Sequence, residues 1–368
     1  MRLVKRLRRL SKDVRGLIVT TKPYKEPKWS NPAIFLALSV FIILIATAAV
    51  LHVTISKQKA SQKAVLPIMR LGLTEWPGYA PIYVGLEKGI FRSYGVDVRY
   101  NKYSSFKQVS NDYVSGKLDA RGNLISDALV ESDSGFKQKI ILALDYSNGA
   151  DALLAQNNIA GVGQLKGKRV AYEPGTLSEF FLRHILQRYN LTINDIKSVP
   201  ASADATPALF ANHLTDAAIT SEPFITKLLQ QDGVRVLFSS AQSPHFIVDV
   251  LSVRADYLSS HSDAASRFVK GYFASLSYVQ NHPQETVSIM SKVLHLSQND
   301  VRNNLAEVQF LNLTDNAEAF TFAAGDQSLY TILRERESAL QSAGQLVNTT
   351  VDIDRIIEPA YIRQNVRH

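Results

Sequence analysis

From Ala33 to Val53 the chain runs for 21 residues without an Asp, Glu, Lys or Arg. As a helix this stretch rises about 30 Å, the thickness of a bilayer's hydrocarbon core, so it is expected to cross a membrane once. Residues 1–28 hold ten Lys/Arg against Asp13 and Glu26, which accounts for the whole formal charge of +8. The remaining 340 residues balance 31 bases with 31 acids. The basic charge therefore belongs to the flank of the apolar run, and a nucleic-acid partner is not expected. Three lysines follow the run (Lys57, Lys59, Lys63), so the positive-inside rule puts residues 1–32 in the cytoplasm and the rest outside. A cleavable leader would carry its small-x-small site at Ala46-Thr47-Ala48, inside the apolar run and behind an unusually long lead. An uncleaved anchor over 33–53 is the expectation. With no cysteine in the chain, attachment through a lipid-modified cysteine is excluded. Leu3, Leu7, Leu10, Val14 and Leu17 fall on one helical stripe, which fits either a helix lying on an anionic leaflet or a plain basic flank. Residues 54–67 are polar and aperiodic and read as a tether.

Residues 68–368 alternate short apolar runs with amphipathic helical patterns, the signature of an α/β architecture. Strands are predicted at Ile68–Leu73, Val96–Tyr100, Leu118–Ala120 and Lys139–Asp145. A second series is predicted at Lys168–Glu173, Ile196–Val199, Ala217–Thr220 and Val234–Phe238. From Ala255 the pattern is almost wholly helical. Two series of this kind predict two lobes around a cleft, with Asp151–Ala155 and Ile247–Val253 as the strands that pass between them. The expected division is 68–150 with 254–368 as lobe one and 151–253 as lobe two. In such sheets ligands sit beyond the carboxyl ends of the strands.

Four strand-to-helix loops carry the candidate site residues. In Glu75–Pro81, Trp76 and Tyr79 offer flat faces with polar edges, suited to closing over a small ligand or to packing in a lobe core. Arg121–Asp127 offers Asn123 and Ser126 at a helix start, either as ligand groups or as caps. In Glu173–Ser178, Gly175, Thr176 and Ser178 open a helix, where unpaired N–H groups and the helix dipole hold an anion or are simply capped. Glu222 precedes a proline at another helix start, a routine place for proline.

The ordered series W-P-G-Y-A-P at 76–81, E-K-G-I-F at 87–91, G-V-D-V at 95–98 and S-G-K-L-D-A at 115–120 continues at wider spacing. It is completed by S-N-G-A-D-A-L-L-A at 147–155, L-K-G-K-R-V-A at 165–171, P-G-T at 174–176 and D-A-A-I-T-S-E-P-F at 216–224. In this order the outer domain resembles the periplasmic solute-binding proteins of the nitrate/sulfonate/taurine importer group, which includes binders of thiamine-pyrimidine precursors. The resemblance implies a two-lobed type II binding-protein fold that closes on one small solute and presents it to an ABC permease and its ATPase. Carried over, the ligand contacts are Trp76, Gly78 and Tyr79 with Asn123 and Asp127 in one lobe, and Gly175, Thr176, Ser178 and Glu222 in the other. Asn148 and Asp151 are further candidates near the crossing. Two features depart from the family pattern: the fixed anchor, and Arg121 and Asn123 where small residues are usual.

Related fungal pyrimidine synthases need a cysteine-rich motif that this chain cannot supply. No Gly-x-Ser-x-Gly elbow, His-Glu-x-x-His pair or metal-spaced histidines occur, so neither an enzyme, a cofactor nor a metal site is expected. The alternative to transport is a tethered sensor signalling through a membrane partner, since about 30 cytoplasmic residues are too few for an output domain. Helix N-termini favour an anionic ligand, and Asp127, Asp151 and Glu222 an amine-bearing one; a zwitterion satisfies both.

Overall fold

The computed structural model describes residues 36, 40, 41, 44–48, 66–322, 325–342, 344–348 and 350–366. The chain separates into two units, Met1–Val65 and Leu66–His368. In the first unit the described residues are helical and exposed. The basic lead 1–32, most of the expected anchor 33–53 and the tether as far as 65 lie outside the described residues. Among the described residues no helix is long and apolar enough to cross a membrane.

The second unit is built on two mixed sheets, as its two series of strands predict. In the first, six strands run in the order β11-β4-β10-β3-β1-β2. They are β1 (Ile68–Thr74), β2 (Asp97–Tyr103), β3 (Ala120–Leu124), β4 (Gln138–Ser147), β10 (Val248–Arg254) and β11 (Val308–Phe310). The second has the order β7-β6-β8-β5-β9. Its strands are β5 (Asp151–Gln156), β6 (Arg169–Tyr172), β7 (Lys197–Pro200), β8 (Ala217–Ser221) and β9 (Val234–Ser239). The strands β1, β2 and β3 are parallel, as are β6, β7 and β8. By contrast, β10 runs antiparallel to β3 and β4, and β5 runs antiparallel to β8 and β9. Each sheet thus receives one reversed strand directly after the chain crosses, through 148–150 into β5 and through 240–247 into β10.

Central strands are buried on both faces by flanking helices, so they read as continuous apolar runs such as Ile140–Leu144. Between β1 and the helix Phe106–Val114 the approach is so close that a Cβ on Gly72 would lie 2.6 Å from both Leu118 and Val109. On the second lobe the helix Leu177–Arg188 buries Phe180, Phe181, Leu182, Ile185 and Leu186. Phe180 stacks on Phe246 in the second crossing, Phe181 lies tilted against the same ring, and Arg336 lies 4.0 Å over the Phe246 ring while donating to its carbonyl.

Two expectations need correction. Residues 121–123 are not loop but the middle of β3, with Arg121 and Asn123 fully buried. The strand tolerates them because Arg121 pairs with Glu131 at 2.7 Å and lies against the Tyr113 ring, while Asn123 sits beside Arg121 and Ser252. Of the run Ile247–Val253, expected to pass between the lobes, residues 248–253 lie in strand β10 of the first sheet, and the chain has returned to that sheet before residue 248. The tail after Ala255 is almost wholly helical as expected, with Val308–Phe310 adding β11 to the edge of the first sheet.

Candidate functional site

The carboxyl ends of β1 and β2 face those of β6 and β8 across a cavity of about 470 Å³. From the first sheet it is lined by Thr74, Glu75 and Trp76 at and just beyond the end of β1 and by Lys102, Tyr103, Phe106 and Gln108 at and just beyond the end of β2. From the second come Glu173, Asp204, Ser221, Phe224 and Lys227, and His295 closes one side. Phe106, Phe224 and Trp76 give the walls an apolar character. The charges divide three ways. Lys102 is paired with Glu75 at 2.8 Å and lies 3.3 Å from His295 Nε2. Lys227 is held over the Phe224 ring at 4.9 Å. Burial pushes the Glu173 carboxyl up, partly offset by a hydrogen bond from the Lys107 backbone across the cleft.

Trp76 is both wall and core. It lines the cavity, is 5% exposed, and its Nε1 donates to Asp145 Oδ1 at 3.1 Å. Gly78 and Tyr79 lie beneath. A Cβ on Gly78 would come within 2.2 Å of Asp145 Oδ2, and the Tyr79 hydroxyl donates to Asp249 at 2.7 Å. Asp145 and Asp249 are cross-strand neighbours. Burial pushes both carboxyls up, Asp145 to about 8 with repulsion from Asp151 adding to it, and Asp249 further with repulsion from Asp145, so the pair retains a proton at neutral pH. Beside them Asp127 is pushed up to about 7, mainly by burial, with Arg121 4.0 Å away pulling it back.

The second-lobe loop turns inward on itself. Gly175 has φ +75 and donates its N–H to Glu179 at 2.9 Å, while Thr176 caps the helix by accepting from the Ser178 N–H at 3.2 Å. The Ser178 hydroxyl accepts from the Glu173 N–H at 3.1 Å. A carboxylate of the chain itself thus occupies a place where an anion was expected. Ser178 and Asp151 line a narrow recess of about 20 Å³ that shares Phe106, Glu173, Ala203 and Ser221 with the main cavity. Asn148 and Glu222 line a separate cavity with Thr226, Asn304 and Glu307. There Glu222 accepts two bonds from Thr226, and burial pushes it up to about 7.

The structure therefore brings Trp76, Asp151 and Ser178 to one cleft, sinks Gly78, Tyr79, Asn123 and Asp127 below or beside its floor, and puts Asn148 and Glu222 elsewhere. The residues not anticipated are those from the end of β2 onward (Lys102 to Gln108) with Asp204, Phe224, Lys227 and His295. The signal for the first group was present: the rule that singled out the other strand-to-helix loops applies to the Ser104-Ser105 turn as well, where Ser105 caps the helix through Gln108. Among the described residues no group of three or more His, Asp or Glu could hold a metal ion.

The two-sheet architecture with a cleft at the strand ends is that of the periplasmic binding proteins. The sequence pattern of the NMT1/THI5 like family matches residues 76–286, more than half of the chain, and the chain belongs to that family. It is 24% identical over 277 residues to an aliphatic sulfonates-binding protein of Bacillus subtilis, covering 74% of this chain and 83% of the relative. It is 25% identical over 219 residues to a 4-amino-5-hydroxymethyl-2-methylpyrimidine phosphate synthase of Uromyces fabae, covering 59% of this chain and 61% of that one. Among solved structures, the alkanesulfonate-binding protein SsuA from Xanthomonas axonopodis pv. citri, bound to MOPS, shares the fold. Its TM-score is 0.69 at 15% identity, over 81% of this chain and all of the other.

Proposed function

We propose that the outer domain captures a small anionic or zwitterionic solute of the sulfonate, taurine or nitrate kind by closing its two lobes, and hands it to an ABC permease and ATPase. The observation that carries this reading is the cavity of about 470 Å³ lined from both sheets at their strand ends, where a ligand touching Trp76 and Lys102 on one side and Phe224 and Lys227 on the other holds the lobes together. The named sulfonate binder among its relatives supports the same class. Residues 33–53 anchor the domain in the cytoplasmic membrane, with 1–32 inside and the binding domain in the periplasm or extracellular space; the motive is the uncharged 21-residue run and its basic flank. The protein works as a carrier and not as an enzyme.

A thermal-shift screen of small sulfonates, aminosulfonates and nitrate tests the binding function. A ligand at 100 times its dissociation constant adds about 2.7 kcal/mol to stability and raises the melting temperature. If every member leaves it unchanged, the ligand class is wrong. For the anchor, the protein is expected to stay with membranes through salt and carbonate washes. Recovery of a soluble species beginning between Ala48 and Ala64 would show cleavage instead.

A further inference from the structure

The cavity lined by Asn148 and Glu222 lies beside the first crossing, where the two lobes touch. On the second-lobe side stands the helix Phe224–Leu229, which shows Ile225, Thr226 and Leu229 to this cavity and Phe224 and Lys227 to the main one. On the first-lobe side is the helix Gln298–Ala306 with Asp300 and Asn304, followed by Glu307. One chain of hydrogen bonds joins the two sides. Asn304 Nδ2 donates to Thr226 Oγ1 at 3.0 Å, and Thr226 donates its hydroxyl to Glu222 at 3.1 Å and its backbone N–H at 3.2 Å. Asn304 and Glu222 are 1% and 2% exposed. The Glu307 carbonyl accepts from the Asn148 N–H at 2.8 Å, and the Glu307 side chain would lie 3.1 Å from a Cβ on Gly149, so this residue bears on the crossing itself.

The contact is poorly satisfied. Asn304 Oδ1 and Glu307 Oε2 are buried without a hydrogen-bond partner, and parting the lobes gives both of them water. Among the described residues no Lys, Arg or His lines the cavity, whereas Glu222, Asp300 and Glu307 do. Asp151 repels Glu222 from β5, and Lys227 faces the main cavity instead. When ionised, Glu222 on one lobe and Glu307 on the other meet with no cation between them.

Resting on the binding function proposed above, we propose that Asn304, Thr226 and the Glu222–Glu307 pair form a proton-operated latch between the lobes. Protonated, the pair lets Asn304 hold the helix that also carries Phe224 and Lys227; ionised, it pushes the lobes apart and loosens the grip on the solute. Burial holds Glu222 at about 7, with Glu307 and Asp151 adding repulsion and the Thr226 bonds opposing it, and burial raises Glu307 as well. Opening hydrates both and returns them towards the ordinary carboxylate range, so closing takes up protons and is opposed as pH rises through 7.

The chain has no cysteine, so Asn111→Cys and Ala208→Cys, at exposed sites on opposite lobes, accept a pair of spin labels cleanly. Distances between the labels are measured by pulsed electron resonance on the full-length protein in detergent at pH 5.5 and pH 8.5, with no solute added. The ratio of short to long distances is expected to fall about tenfold or more on going to pH 8.5. Glu307→Gln, which removes a charge but keeps the shape, should hold the short distance at both pH values. Asn304→Ala should lengthen it at both; if that variant fails to fold, Glu307→Gln and the unaltered latch decide. Identical distributions at the two pH values overturn the latch, and so does a pH shift that Glu307→Gln leaves unchanged, which would assign it to other buried acids. Because no solute is present, either failure leaves the proposed binding function standing, and a wrong ligand class leaves the latch untouched.

Discussion

The loops Glu75–Pro81 and Glu173–Ser178 occupy equivalent places, each leading from a strand of its own sheet into a helix, and each contains a glycine that the family resemblance marks as a ligand contact. They use that glycine for opposite ends. In the first loop Gly78 makes room: its missing Cβ is where Asp145 and the Trp76 indole meet. In the second, Gly175 supplies a turn, with φ +75 and nothing within 4 Å of a Cβ built on it. One loop is packed against a floor of buried acid and shows the cleft a single face, that of Trp76; the other has already spent the N–H groups of Gly175 and Ser178 on Glu179 and Thr176. The lesson is that an equivalent position in a fold does not give an equivalent supply of free donors.

The largest effect is expected from Gly78→Val, which forces atoms to within 2.2 Å of Asp145 Oδ2 in the unrelaxed backbone. Overpacking of this kind costs roughly 3 kcal/mol or more, and the variant should be recovered mostly unfolded. A well-folded Gly78→Val protein, judged by its melting curve, would break the contrast between the loops. Trp76→Phe comes next. It removes the donor to Asp145 and leaves a buried carboxyl oxygen bare, at a cost of about 1–3 kcal/mol, and it also removes part of the cleft wall. Melting temperature and ligand affinity should therefore fall together, whereas a loss of affinity with unchanged stability would mean that the indole N–H bond is idle.

The acid floor can also be read through pH. Burial holds Asp127 and Asp151 at about 7 and the Asp145–Asp249 pair higher. Each of these groups has a folded pKa above its unfolded one, so its contribution to stability is fully present below the unfolded value near 4 and is lost as pH rises through 7 and beyond. Carboxylates held low by partners, such as Asp216 beside Arg169 and Asp256 beside Arg254, act oppositely and lose their contribution only in acid. The unliganded domain should thus melt higher at pH 5.5 than at pH 8.5. A flat or rising profile over that range would mean that the floor is hydrated and ionised.

Much of the architecture was legible in the sequence, because β4, β6 and β8 carry continuous apolar runs and the helices of the first lobe carry clean stop signals such as Gly89 and Gly116. The strand β3 was not, since Arg121 and Asn123 look like loop residues until Glu131, Tyr113 and Ser252 are brought to them by the fold. For the site, the rule that function lies on strand-to-helix loops found Trp76 and Ser178. It could not tell that Glu222, at the end of a cleft-facing strand, turns to the opposite side and bonds Thr226. Nor does local pattern bring His295 from a distant helix end to Lys102, 193 residues earlier.

Smaller effects separate the second loop from the first. Gly175→Val strains a left-handed residue by roughly 1–2 kcal/mol but meets no neighbour, so ligand affinity should survive it. Abolished binding in a folded variant would return the loop to the role of an anion cradle. Ser178→Ala should cost about 0.5–1.5 kcal/mol of stability, the worth of its bond from the Glu173 N–H.

The chain has only two tryptophans, Trp29 and Trp76. In full-length protein carrying Trp29→Phe, emission comes from Trp76 alone, at the wall of the proposed cleft. Titration with a solute that calorimetry shows to bind should shift the intensity and wavelength of that emission along a saturable curve, with the same dissociation constant as the heat, because closing lobes dry and order the indole. Emission that stays silent while heat reports binding would place the solute away from Trp76 and contradict the central claim that the cleft between the two sheets is the binding site.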